Sequence, residues 1–385
     1  MADNIRYVGN AVRKENTKKN FKRSLNLTLI SALIIIAALI GLNIAEKTAA
    51  GSTDTTTEST GAYPISFSSN DIRTVDVMGK NSVVLTKKFV TAIDKRAGIV
   101  WEVPVVYGDP AVFTSDKYVV AFDRLSNKYA VITAKGEVSE RKAQRTSQIY
   151  NACVTDKGEV LLSMKSDSSA CLVSVIDKKG NEKFVWSCTE EYIVDMFLSS
   201  DSNTLYCAGI SAAGGEIYTK VYCINMKNGE EKSYTVPSES CVALNYISSE
   251  KFNVITNSGL YVFDGSKEEI LLSSTKFSSK LLYYSVSSDG SIAAVTSSTA
   301  NLSENILTVY TDKAHEKYRV SVQDGIEDIF LDKDTAYLLY SDCVIAAEKG
   351  EIDDKLFFEN KAVGVIKCAG KVYCYSLGGV EKAKG

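Results

Sequence analysis

Proline and histidine are scarce in this chain of 385 residues, which contains four prolines and one histidine. Because proline cannot donate a hydrogen bond to a neighbouring strand, its scarcity agrees with a chain built mostly of strands. The single histidine, His315, excludes a histidine-rich metal site, and a histidine-based nucleophile relay would have to use this one residue. Its setting, Thr311–Tyr318, predicts an exposed turn or strand-edge position for it instead.

Common catalytic motifs are missing as well. The chain contains no HExxH, GxSxG or P-loop sequence, so the chemistries that these motifs perform lack support. Turns containing aspartate do occur, but none has the spacing of a calcium-binding loop, and turn formation explains them better. We therefore predict no catalytic residue, no cofactor, no metal site and no enzymatic activity.

Charged residues are absent between Arg23 and Glu46. About 20 helical residues with a rise of about 1.5 Å each match the ~30 Å hydrocarbon thickness of a bilayer. We predict one transmembrane helix over residues 25–45. A cleaved signal peptide and a buried core helix are disfavoured because the apolar run Ser24–Ala45 is too long. A lipoprotein anchor is disfavoured because no cysteine lies in or near the run.

The predicted orientation follows from the charges that flank this run. The first 24 residues have a net charge of +5 and the whole chain has −3, which leaves −8 for the remainder. Since positive charge beside a span stays in the cytoplasm, residues 1–24 are predicted to be a cytoplasmic tail in a single-pass protein of the cell membrane. The acidic remainder would be extracytoplasmic, and its charge argues against nucleic-acid binding.

Residues 46–62 are rich in Ser and Thr and contain no large apolar side chain. Such a segment cannot bury enough surface to fold, which predicts a flexible linker. As a coil it would span about 23 Å. Residues 63–385 follow it as the predicted extracytoplasmic domain.

Short apolar runs separated by Gly, Asp, Asn and Ser fill this domain and predict strands joined by turns. The runs repeat about every 41 residues, and two apolar strands around a turn such as Ser-x-Asp recur in five of the units. A period of ~40–50 residues with four strands predicts an all-β, eight-bladed β-propeller, with seven blades as the alternative. The predicted unit starts lie near Asp71, Asp109, Ile149, Tyr192, Cys241, Leu281, Ile326 and Lys361.

Several units share a further sequence motif, which begins in their third strand. Phe89–Trp101 reads FVTAIDKRAGIVW, and Leu172–Trp186 reads LVSVIDKKGNEKFVW. These segments resemble the repeat of PQQ-like (quinoprotein-type) propellers, and Ala92, Asp94, Gly98 and Trp101 carry the resemblance. The layout also resembles uncharacterised bacterial families of membrane-anchored extracytoplasmic propellers. The resemblance implies a propeller fold and transfers no functional residue.

The last unit has room for only three strands after Lys361. We predict that Tyr63–Ser68 supplies the fourth strand and closes the ring, because an open ring would expose sheet edges.

The cysteines and tryptophans each allow two interpretations. Most of the nine cysteines lie in apolar strand contexts, which favours small buried side chains over disulfides. Cys207 and Cys223 are the pair to test first for a disulfide. Trp101 and Trp186 could stack on sugars, but their place at the start of an outer strand favours packing between blades. The nine cysteines are Cys153, Cys171, Cys188, Cys207, Cys223, Cys241, Cys343, Cys368 and Cys374.

The leading functional hypothesis is a non-enzymatic propeller that binds a protein, peptide or glycan at the cell surface, because loops on a rigid frame often carry recognition. A quinoprotein-like oxidoreductase and a structural component of the cell envelope are the alternatives. The sequence leaves the partner, the binding face and the oligomeric state open.

Overall fold

The computed structural model describes residues 63–67, 71–144, 147–248, 250–297 and 304–384. Every regular element in these residues is a β-strand. No helix among them is long and apolar enough to cross a membrane. The predicted tail (1–24), transmembrane helix (25–45) and linker (46–62) lie outside the described residues.

Thirty-two strands occur in the described residues, and they form eight antiparallel sheets of four strands each. The first seventeen are β1 (Ile65–Ser66), β2 (Thr74–Met78), β3 (Asn81–Leu85), β4 (Phe89–Ile93), β5 (Ile99–Pro104), β6 (Pro110–Thr114), β7 (Tyr118–Asp123), β8 (Lys128–Thr133), β9 (Val138–Lys142), β10 (Ile149–Val154), β11 (Val160–Met164), β12 (Cys171–Ile176), β13 (Glu182–Cys188), β14 (Tyr192–Leu198), β15 (Thr204–Ala213), β16 (Glu216–Asn225) and β17 (Glu231–Val236). The others are β18 (Cys241–Tyr246), β19 (Lys251–Thr256), β20 (Gly259–Asp264), β21 (Leu271–Lys276), β22 (Leu281–Val286), β23 (Ile292–Ser297), β24 (Glu304–Tyr310), β25 (Glu316–Gln323), β26 (Asp328–Asp332), β27 (Thr335–Leu339), β28 (Cys343–Glu348), β29 (Glu351–Phe357), β30 (Gly364–Cys368), β31 (Lys371–Tyr375) and β32 (Gly379–Lys382).

Each sheet is one blade of a β-propeller. Blade 1 contains β2–β5, and each later blade takes the next four strands, up to β26–β29 in blade 7. The first strands of blades 8 and 1, β30 and β2, lie against each other, so the ring closes. The prediction of eight units is confirmed, and the seven-bladed alternative is wrong. Every first strand begins within three residues of its predicted start.

Blade 8 is completed by the strand that precedes blade 1. β1 pairs with β32 through Ile65↔Val380 and Ser66↔Gly379, and the Phe67 amide donates to the Gly378 carbonyl at 2.8 Å. Ile65 and Val380 are buried in one cluster that joins blades 8 and 1. The predicted closure by Tyr63–Ser68 is therefore confirmed, with β1 restricted to two residues.

The hydrophobic core is divided among the interfaces between blades. Eight buried clusters occur in the described residues, and each combines side chains from two neighbouring blades. A blade therefore buries both of its faces, one against each neighbour. This explains why middle strands such as β12 and β20 are buried at every position and have mainly apolar sequences.

The sequence motif Phe89–Trp101 forms a turn followed by a contact between blades. The Asp94 carboxylate accepts hydrogen bonds from the Arg96 amide at 2.7 Å and the Gly98 amide at 2.9 Å, which closes the turn after β4. Trp101 is buried, and its Nε1 donates to the Ala134 carbonyl of blade 2 at 3.2 Å.

Trp186 also contacts the next blade of the ring. Trp186 donates to the Glu231 carboxylate of blade 4 at 3.1 Å and packs edge-on against Tyr222. The prediction that both tryptophans pack between blades is confirmed.

The turn after β8 approaches Trp101 closely at Gly136. Gly136 has a φ of +82°, and a Cβ there would lie 2.7 Å from the Trp101 Cβ. Gly229 offers a comparison, since it has a similar φ of +76° but no atom of the described residues lies within 4 Å of its Cβ position. Gly136 therefore meets two requirements, a positive φ and the space for the tryptophan, whereas Gly229 meets only the first.

We predict that Gly136 is required for the packing of Trp101. Gly229→Ala should cost about 1–2 kcal/mol of unfolding free energy, because alanine resists a positive φ. Gly136→Ala should cost about 1–3 kcal/mol more, because the tryptophan must also move. Denaturant unfolding of the two variants measures the difference. Equal losses in both variants would contradict the proposed packing role.

Candidate binding site on the carboxyl face

The two faces of the propeller differ in the turns that they carry. All eight first strands run in the same direction, because every blade repeats the same antiparallel order. We call the side on which the first strands end the carboxyl face, and the side on which they begin the amino face. The turns that follow the first strands lie on the carboxyl face.

A recess of about 460 Å³ lies on the carboxyl face and spans blades 2 to 5. Phe113, Phe197 and Tyr246 line it from three first strands, and Cys153 and Leu161 of blade 3 lie between them. Phe113 is 39% exposed and Tyr246 is 45% exposed. The volume of the recess lies within the range of sites that hold one small molecule or a side chain of a partner.

The aromatic lining is fixed from below. Phe197 packs edge-on against Tyr246 with ring centroids 5.6 Å apart, and it stacks on the buried Tyr206 at 4.8 Å. Tyr206 in turn packs against Phe252 at 4.8 Å. These contacts hold the rings of Phe197 and Tyr246 in place.

The rim of the recess is polar. Asp116, Asp156 and Lys157 line its edge. The Lys157 ammonium donates to the Ser200 carbonyl at 2.6 Å and to the Ser202 hydroxyl at 3.3 Å, which ties the turns of blades 3 and 4 together. Protein–protein interfaces have a similar arrangement, with an apolar core inside a polar rim.

This recess was not predicted from the sequence, although the sequence contains a signal for it. Phe113, Phe197 and Tyr246 each lie two residues before a serine that opens the turn after a first strand. Three blades therefore place an aromatic ring at the same point of the repeat. The ring shape of the fold then brings the three side chains to one surface.

A second polar feature connects the first strands near the axis. Five side chains of first strands each reach the first strand of the next blade. The contacts are Asp76 with the Thr114 hydroxyl (2.6 Å), Asn151 with the Val194 carbonyl (3.0 Å), Asp195 with the Leu244 amide (3.0 Å), Ser285 with the Leu331 amide (2.9 Å) and Asp328 with the Val365 amide (2.9 Å).

We call these five residues, Asp76, Asn151, Asp195, Ser285 and Asp328, the inner belt. None of the five was predicted from the sequence, although each is a polar residue within a mainly apolar strand.

Burial raises the pKa of all three belt carboxyls. The pKa of Asp195 rises to about 6, because desolvation outweighs the hydrogen bonds from the Leu244 and Met196 amides. The pKa values of Asp76 and Asp328 are raised for the same reason. Cys153, Cys241 and Tyr284 are among the groups that interact electrostatically with Asp195.

The cysteine predictions have different outcomes. All nine cysteines are buried and free, which confirms the expectation of small buried side chains. The proposed Cys207–Cys223 pair is wrong. The two residues lie on adjacent strands, but Cys207 is opposite Tyr222 and Cys223 is opposite Tyr206, so their side chains point to opposite faces of the blade.

The single histidine lies where the sequence predicted. His315 is exposed in the turn between β24 and β25, and its amide donates to the Thr311 hydroxyl at 3.2 Å. In the part of the chain that the structure describes, no group of three or more His, Cys, Asp or Glu side chains is placed to hold a metal ion.

The fold is that of a β-propeller, and several solved structures are similar to it. One similar solved structure is BamB from Moraxella catarrhalis, with 14% identity and a TM-score of 0.51; the match covers 80% of this chain and 92% of that chain. Another is apo AztD from Citrobacter koseri, with 11% identity and a TM-score of 0.53; the match covers 74% of this chain and 86% of that chain. The WD40 domain of SCAP from fission yeast is also similar, with 12% identity and a TM-score of 0.54; the match covers 82% of this chain and 95% of that chain. At these identities the likeness shows the fold alone.

The chain belongs to a family of unknown function, DUF5711, whose model matches residues 53–382. No curated protein matches the sequence.

We predict that Asp195 makes the stability of the propeller depend on pH. A carboxyl whose pKa is raised by folding stabilises the native state at low pH and loses this contribution as the pH rises through the folded pKa. The rise from 3.8 to about 6 corresponds to about 3 kcal/mol. Wild-type stability should therefore fall between about pH 4 and pH 7, and Asp195→Asn should reduce that slope.

Urea unfolding at several pH values measures this slope. Asp156→Asn is the matched control, because Asp156 is exposed on a nearby turn, and it should leave the slope unchanged. A slope that is the same in wild type and Asp195→Asn would show that Asp195 is not the titrating group. Asp76 and Asp328 should account for part of the slope that remains in Asp195→Asn.

Proposed function

We propose that this protein is a membrane-anchored, extracytoplasmic binding module that holds a protein or peptide partner on its carboxyl face without catalysing a reaction. The observation that carries the proposal is the recess, which exposes Phe113 and Tyr246 above a fixed aromatic floor. Exposed aromatic rings in a preformed depression are typical anchors for a partner's apolar side chain. The charged rim then contacts the polar groups around that side chain.

The proposed membrane anchor rests on the sequence before the propeller. The uncharged run Ser24–Ala45 is long enough to span a bilayer, and the basic residues before it favour a cytoplasmic amino terminus. β1 is the fourth strand of blade 8 and runs opposite to the first strands. Tyr63 therefore enters the propeller from the carboxyl face, the face that carries the recess.

We predict that the full-length chain remains in the membrane fraction after alkaline carbonate extraction. Replacing Ile35 and Leu39 with arginine should move it to the soluble fraction, because each arginine at a helix centre costs about 2.5–3.5 kcal/mol. Thr55→Arg, in the predicted linker, is the matched control and should stay with the membrane. Extraction of the wild-type chain by carbonate would contradict the anchor.

We predict that a photo-crosslinking amino acid at Tyr246 captures a partner in intact cells. The matched control is Ile352, which is 49% exposed on β29 of blade 7 and lies outside the recess. Mass spectrometry should identify the same partner from positions 246 and 113 and not from 352. Phe113→Ala combined with Tyr246→Ala should then lower recovery of that partner about tenfold or more.

Three other results would lead away from this proposal. Identical products from positions 246 and 352 would show that the recess is not the docking site. A bound-quinone absorbance or turnover after addition of PQQ and calcium to the purified chain would instead support the quinoprotein-like alternative. Capture of envelope components alone, in stoichiometric amounts, would support a structural role.

A further inference from the structure

Two cysteines face each other directly across the outer strands of blade 3. Cys171 begins β12 and Cys188 ends β13, and the two residues are paired in the strand register. None of the other seven cysteines has a cysteine opposite it in the strand register. Among the described strands, the Cys171–Cys188 pair is therefore unique.

The two side chains lie on the same face of the blade. Both are buried, with 0% and 2% exposure, in the cluster that joins blades 3 and 4. Directly opposite residues of antiparallel strands have Cα atoms about 4.5–5.5 Å apart. Disulfides span Cα separations of about 4.4–6.8 Å. The backbone of this pair thus satisfies the distance requirement without moving.

In the folded blade, each of the two sulfur atoms makes a hydrogen-bond contact with another side chain. Cys171 Sγ lies 3.2 Å from the Ser163 hydroxyl. The Cys188 thiol donates to the Glu191 carboxylate at 3.2 Å. Glu191 is 1% exposed and also accepts hydrogen bonds from Tyr218 and Tyr222. Rotation about the Cα–Cβ bonds would exchange these contacts for a sulfur–sulfur bond, and Glu191 would keep its two tyrosine donors.

We propose that Cys171 and Cys188 form a reversible cross-strand disulfide that links the outer strand of blade 3 to its neighbour. The oxidant is a disulfide, such as oxidised glutathione or the disulfide of a thiol oxidoreductase. One cysteine thiolate attacks that disulfide and releases one thiol. The second thiolate then attacks the mixed disulfide and releases the other, so two protein thiols lose their protons and the oxidant gains two electrons.

Access to the pair requires local opening. Burial and the Glu191 carboxylate raise the pKa of Cys188 to about 11, so the closed blade holds a poorly reactive thiol. β13 is the outermost strand of its blade, and outer strands open more readily than central ones. The importance of this reaction in the cell rests on the proposed extracytoplasmic location, because disulfides persist mainly outside the cytosol.

Peptide mapping of the full-length chain tests the proposal. In one arm the folded chain is incubated with oxidised glutathione, and in a second arm the reduced, unfolded chain is refolded in a glutathione redox buffer. Both samples are alkylated and cut after glutamate. Because Glu182 and Glu190 flank Cys188, cleavage separates Cys171, Cys188 and Cys207 into different peptides. We expect one pair of linked peptides, which contains Cys171 and Cys188. Its mass should be two hydrogens lower than the summed masses of the two separate peptides. The other seven cysteines should be alkylated.

Two variants complete the test. Cys207→Ser removes another cysteine of the same buried cluster and should keep the link. Cys188→Ser should abolish it and leave the remaining eight cysteines alkylated. Nine alkylated cysteines in both wild-type arms, or links between other cysteines, would overturn the proposal. The result does not depend on where the chain is located, so it is independent of the membrane and crosslinking tests.

Discussion

Closure of the ring is the constraint on which the rest of the structure depends. Each blade buries both faces against its neighbours, so no blade has a core of its own. Blade 8 obtains its fourth strand from the opposite end of the propeller chain, through Ile65↔Val380 and Ser66↔Gly379. Without these pairs, the cluster that joins blades 8 and 1 would lose the buried side chain of Ile65, and β32 would become an open sheet edge.

The same closure fixes the positions of the functional features. The recess draws its aromatic side chains from three blades, so its shape exists only while those blades keep their places in the ring. The inner belt stabilises the positions of the blades, because each of its five side chains connects one first strand to the next. Burying three carboxyls costs stability at neutral pH, and it gives the blades directional contacts that apolar packing alone does not provide.

Much of the fold could be predicted from the sequence, because the determinants are local. The ~41-residue period, the aspartate turns and the missing fourth strand of the last unit are all visible in the order of residues. The pairing of Cys207 with Cys223 could not be judged in this way, because a shift of one residue in register moves a side chain to the other face. The recess was missed because its three aromatic residues are distant in sequence and meet only through the ring.

The most direct test of this account is the thermal unfolding of a chain that lacks Gly378–Gly385. This deletion removes β32 and with it the partner of β1, whereas removal of Gly385 alone leaves both strands intact. We expect the longer deletion to lower the unfolding midpoint by about 10 °C or more and the shorter deletion to leave it unchanged. An unchanged midpoint after the longer deletion would show that the propeller does not depend on closure by β1 and β32.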